Sequence, residues 1–132
     1  MPTVPQAVTL SLDGCPFEQT RSCTQEGVPA IWLAPSRTTR HDLYHEMGHL
    51  YDYFVLTEAT RQRFLSLRQD RRPWRSAPNS PHEQFAEAYA FCATGRAPLF
   101  AGRVLGGYGY TPSLRAHKRI CALIRSSPSA AG

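Results

Sequence analysis

The sequence predicts an α+β fold, with a small sheet near the start followed by helices that carry the chemistry. Three observations lead there. Ala7-Val8-Thr9-Leu10-Ser11-Leu12 alternates apolar and polar residues, the pattern of a strand with one buried face. Leu43, Met47, Leu50 and Phe54 recur at steps of four, three and four, which is helical spacing. Ser80-Pro81 then pairs a capping residue with proline at a first helical position, a clear helix start.

The 132 residues read as one domain, large enough to bury a core without staples. Residues 1–34 hold the strands and a cysteine loop. Asp13-Gly14 turns the chain after the first strand, and Val28–Leu33 forms a second, which Pro29 pushes toward an edge or a strand start. An edge strand beside the following helix can pair with an extended peptide backbone. That helix spans 36–56 behind Pro35, with Ser36, Thr38 or Thr39 as its cap. Thr57 caps a second helix that ends before Pro73, and Pro73, Pro78, Asn79 and Pro81 mark a loop. A third helix covers 80–94. A last one covers 111–125, with Leu114, Cys121 and Ile124 toward the core and His117 partly buried on it, and 126–132 is a disordered tail.

Within the first helix stands His45-Glu46-Met47-Gly48-His49, an H-E-x-x-H pattern. Residues four apart share a helix face. Two imidazoles so placed can hold one zinc ion while Glu46 faces a water in the open position. Two surface histidines on an amphipathic helix are the plainer reading, and a third ligand decides between them. Glu83 and Glu87 lie four apart on the third helix, on a face of Ala86 and Ala90 small enough to let it approach the first. Glu83 suits the third ligand, and Glu87 an acceptor for a ligand histidine N–H. Ser80-x-x-Glu83 is equally a capping box, with Glu83 turned back to its own backbone. His82 is the reserve ligand. His41 lies two turns from His49, too far to join them. Asp52 is either an exposed carboxylate or a hydrogen-bond acceptor beneath the site.

Cys15, Cys23, Cys92 and Cys121 show no C-x-x-C spacing, which speaks against a zinc knuckle or a thioredoxin-type pair. Cys15 and Cys23 bracket a short loop, and Cys92 and Cys121 fall on helices with apolar neighbours. Disulfides within each pair are expected, against four buried thiols as the alternative, and they favour a secreted or extracytoplasmic location. Met1–Pro5 lacks the character of a signal peptide, and no apolar run reaches membrane-spanning length. The net charge of +5 comes from fourteen arginines against one lysine. Many of the arginines fall between Arg61 and Arg75, where Phe64 and Leu67 keep helical spacing. A solvated helix face explains them better than a nucleic-acid surface.

His45-Glu46-Met47-Gly48-His49-Leu50-Tyr51-Asp52 followed by Glu83-Gln84-Phe85-Ala86-Glu87-Ala88-Tyr89 resembles the gluzincin class of zinc metallopeptidases. The likeness is to minimal gluzincins and the catalytic domain of anthrax lethal factor, with H-E-x-G-H-x-x-D on one helix and E-x-F-A-E-A on a later one. The resemblance implies a zincin-like fold with an edge strand over the active-site helix. It makes His45, His49 and Glu83 ligands of one zinc per chain, Glu46 the catalytic base and Glu87 the support of a ligand. It implies a peptide or protein substrate and a peptide-hydrolysing domain. A monomer is expected, with no membrane partner and no nucleic acid. One feature departs from the pattern: lethal factor carries a catalytic tyrosine shortly before its ligand glutamate, and Arg71–His82 contains none. Tyr108 or Tyr110 in Gly106-Gly107-Tyr108-Gly109-Tyr110 can reach the site as an oxyanion donor, against a loop whose tyrosines pack on the core. A metal-stabilised binding module without activity is the alternative function.

Overall fold

The computed structural model describes residues 4–35, 38–100 and 103–127. Ser36, the first residues of the chain and positions 128–132 of the expected tail lie outside the described residues. The elements run β1 (Thr9–Ser11), β2 (Cys23–Gln25), β3 (Val28–Trp32), α1 (Arg40–Phe54), α2 (Glu58–Arg68), α3 (Pro81–Thr94), β4 (Leu99–Phe100), β5 (Arg103–Val104) and α4 (Leu114–Ser126). The class is α+β: four helices, a three-stranded sheet and one short strand pair among the described residues.

The sheet order is β1-β3-β2, with β1 parallel and β2 antiparallel to β3. Val28–Trp32 is therefore the central strand, not an edge. The edge bordering α1 is β2, which directly follows the cysteine loop. Gly27, at φ +78°, turns β2 back onto β3. The pairing steps from Thr24↔Ile31 to Gln25↔Val28, so Pro29 falls in the irregularity, where its missing N–H costs no rung of that ladder.

Thr39 caps α1: its hydroxyl accepts the Asp42 N–H at 3.1 Å, and the Asp42 carboxylate accepts the Thr39 N–H at 2.8 Å. α1 and α3 pack closely because Gly48 has no side chain. A Cβ there would stand 2.9 Å from Ala86 Cα and 3.0 Å from Tyr89 Cβ. Tyr51, Phe64, Phe85, Phe91, Ile120 and Ile124 form the main core around this contact. Leu114, expected in that core, is exposed at the first position of α4, where Ile120, Leu123 and Ile124 supply the buried face.

Both disulfides are present. Cys15–Cys23 closes the loop before β2, and Cys92–Cys121 ties α3 to α4. Two disulfides are compatible with an extracellular location. Among the described residues no helix is long and apolar enough to cross a membrane. Several arginines of the 61–75 run are structural. Arg61 bonds Asp52, Arg68 bonds Gln84, and Arg72 binds Asp70 and the carbonyls of Pro78 and Asn79.

Candidate metal centre

His41, His45, His49 and Tyr53 stand at steps of four along one row of α1. The first turn of α3 crosses this row. Ser80 caps that helix one way: its hydroxyl accepts the Glu83 N–H at 3.2 Å. The Glu83 carboxylate does not return to the backbone. Its Oε2 lies 3.1 Å from His45 Nε2 and 3.2 Å from His49 Nε2.

The three donors lie within 4.8 Å of one another and together could hold a metal ion. A tetrahedral ion with ligands at about 2.0–2.1 Å spaces them roughly 3.3–3.4 Å apart, close to the observed separations from Glu83. Three further buried atoms in this neighbourhood, His41 Nδ1, His49 Nδ1 and Glu46 Oε2, find no hydrogen-bond partner. Imidazole and carboxylate donors suit zinc among several divalent metals, so the residues present fit the group.

Glu87 orients the first histidine. His45 Nδ1 donates to its Oε1 at 2.9 Å, which leaves Nε2 for the metal side. The same oxygen accepts from His41 Nε2 at 2.8 Å, and Oε2 accepts the Gly107 N–H at 2.8 Å. Burial alone would raise the Glu87 pKa, but these bonds outweigh it and hold it at about 2.

Asp52 takes a different place. It accepts from His82 Nδ1 at 2.8 Å, Trp74 Nε1 at 2.9 Å and Arg61 Nε at 2.8 Å. The His82 ring lies over His49, with centroids 4.3 Å apart, and its Nε2 is 3.2 Å from the Tyr53 hydroxyl. Asp52 thus reaches the site through His82. With both nitrogens occupied, His82 is not arranged as a ligand.

The two histidines are pushed in opposite directions. Burial lowers the His45 pKa, but Glu83, Glu87 and Glu46 outweigh it and bring it to about 9. Burial dominates at His49, and the charge on His45 adds to it, leaving that group at about 4. Burial lifts Glu46 to about 7, partly opposed by His45 and by Thr24 of β2.

The two loop tyrosines separate. Tyr108, held at φ +57° beside Gly109 at φ +76°, stacks on His45 with centroids 5.0 Å apart and lines the cleft beside Glu46. Tyr110 is fully buried and shares a 2.7 Å hydrogen bond with His117, away from the histidine pair. The sequence reading missed His41, Thr24, Tyr53 and Trp74 as parts of the site. The four-residue row of α1 was a signal for His41 and Tyr53; Thr24 and Trp74 had none.

A hollow of about 1070 Å³ between α2 and residues 69–74 is lined by none of His45, His49 and Glu83. No family model matches the chain, and no match is found among curated proteins or solved structures.

Proposed function

We propose that this chain is a zincin-like, gluzincin-type zinc metallopeptidase that hydrolyses peptide bonds in an oxidising, extracytoplasmic setting. The observation that carries the reading is the placement of Glu83 Oε2 within 3.2 Å of both His45 Nε2 and His49 Nε2, with Glu46 beside them on the cleft. His45, His49 and Glu83 would hold one zinc, which when bound supplies Lewis acidity to a water and to the scissile carbonyl.

The protein's own groups do the rest. Glu46 Oε2 has no partner in the fold and is free to accept a proton from the attacking water. As the carbon–nitrogen bond breaks, Glu46 returns that proton to the leaving amine. Glu87 fixes the His45 tautomer. Tyr108, at the cleft wall over His45, supplies a phenol in place of the tyrosine missing from Arg71–His82. β2 pairs on one side only and offers its free edge to an extended substrate.

Glu46→Gln keeps size and removes the base. Zinc content should be unchanged, while cleavage of a mixed peptide library near neutral pH falls by about 10²–10⁴. Equal cleavage by both proteins would overturn the role of Glu46. Zinc retention with no cleavage by either would favour the inactive, zinc-stabilised binding module.

A further inference from the structure

Two hollows of about 230 and 110 Å³ flank Glu46 and His45, and both are walled by Arg21, Ser22 and Tyr108. Arg21 is the one lysine or arginine among the residues lining either. The acidic residues there are Asp42, Glu46, Glu83 and Glu87. Asp42 is bound to the α1 cap, and Glu83 and Glu87 are committed to histidines.

Arg21 itself is not committed. Its one ion pair among the described residues, with Glu18 at 3.5 Å, is two-thirds exposed on the arginine side and half exposed on the other. A pair so solvated contributes little. Arg75, near the far end of the cleft over the Tyr53 ring, is held by Glu26 at 2.8 Å. The Arg21 backbone, in contrast to its head group, is fixed. Its N–H donates to Glu18 O at 3.0 Å, and its carbonyl accepts the Cys15 N–H at 2.8 Å. Cys15–Cys23 closes the same loop, and Ser22 Oγ accepts the Ala34 N–H at 2.9 Å.

We infer that Arg21 is a specificity residue that receives a carboxylate of the bound peptide at the rim of the cleft. This rests on the peptidase reading for its purpose but not for its test. A guanidinium offers paired N–H donors to a carboxylate, and the fixed loop backbone leaves only the side chain to be ordered on binding. The carboxylate comes from an Asp or Glu side chain near the scissile bond or from the peptide's C-terminus.

Binding of dye-labelled hexapeptides, read by fluorescence polarisation, separates these sources. It is measured on the protein as purified, in the Glu46→Gln background so that any cutting is slowed about 10²–10⁴-fold. One series moves a single Glu, matched by Gln, through blocked peptides; a second restores the free C-terminal carboxylate. One carboxylate position should bind about five- to tenfold more tightly than its neutral match. Arg21→Ala should abolish that ratio, and Arg21→Glu should turn it toward Lys peptides. Binding without carboxylate preference, or a preference that survives Arg21→Ala, overturns the inference. Preference through Arg21 in a protein whose wild type cuts nothing would refute the peptidase and leave this site standing. Cleavage without that preference would do the reverse.

Discussion

Gly48→Ala is a one-methyl test of how the fold sets the metal centre. The new Cβ would lie 2.9 Å from Ala86 Cα and 3.1 Å from Ala86 O, against the 3.4 Å at which ordinary contact begins, a shortfall of about 0.5 Å. Both obstacles are backbone and cannot swing aside, so α1 and α3 must separate. Overpacking of this kind costs about 1–3 kcal/mol, with the rigid contact favouring the upper half. Alanine returns about 1 kcal/mol in helix propensity. The expected net loss is about 1–2 kcal/mol. Since His45 and His49 ride on α1 and Glu83 on α3, the same movement spreads the donors, and tolerances near 0.5 Å matter at such sites. Zinc affinity should fall about tenfold or more. Urea denaturation in chelator measures the first effect, and competition with a colorimetric chelator the second. A variant as stable as wild type would refute the packing argument. Unchanged zinc affinity would show that donor spacing does not depend on this contact.

Two further predictions concern the groups around the histidines. Glu83→Ala should lose zinc on dialysis and Glu87→Gln should weaken it about 10–100-fold, whereas His41→Ala should retain it; metal analysis of the purified variants decides, and full zinc in Glu83→Ala would remove Glu83 from the ligands. Asp52→Asn should destabilise the fold by about 1–3 kcal/mol, because His82, Trp74 and Arg61 lose a shared buried carboxylate while Arg61 keeps the Asp52 carbonyl and the exposed Glu58. Burial alone would raise the Asp52 pKa, but the bonds from His82, Trp74 and Arg61 depress it. Its contribution is therefore full at neutral pH and is lost as pH falls below the ordinary 3.8. Denaturation midpoints of the two proteins should accordingly converge in acid, and a gap independent of pH would contradict the assignment.

What the sequence disclosed follows from how local each signal is. The α1 ligand spacing is a property of one helix and can be read from five residues. Glu83 was ambiguous because a capping box and a metal ligand demand the same residue at the same place. Its carboxylate points toward Nε2 of both histidines and not to the backbone, so the capping box is half formed and the group could hold a metal ion. Ala86 and Ala90 signalled close helix packing, and Gly48 meets Ala86 there. β2 was illegible: three residues, a cystine at one end and a register step at the other leave no alternation to detect. The Asp52–His82–Trp74 cluster joins residues up to thirty positions apart, and no periodicity reports such a contact. Tyr108 and Tyr110 looked interchangeable because two residues apart in a glycine-rich loop says nothing of which ring turns inward.

Glu87 has a consequence beyond holding a ring in place. One carboxylate serves α1 through two histidines and the tyrosine loop through the Gly107 N–H, so any ion held at the histidines and the order of that loop draw on the same negative charge. Thermodynamic linkage makes such coupling mutual: whatever factor an ordered loop applies to ion affinity, the ion must apply to loop ordering. If the His45–His49–Glu83 group takes an ion, ordering of Tyr108 over His45 would thereby tighten the grip on it. A chelator that strips the ion would loosen the wall that receives the substrate.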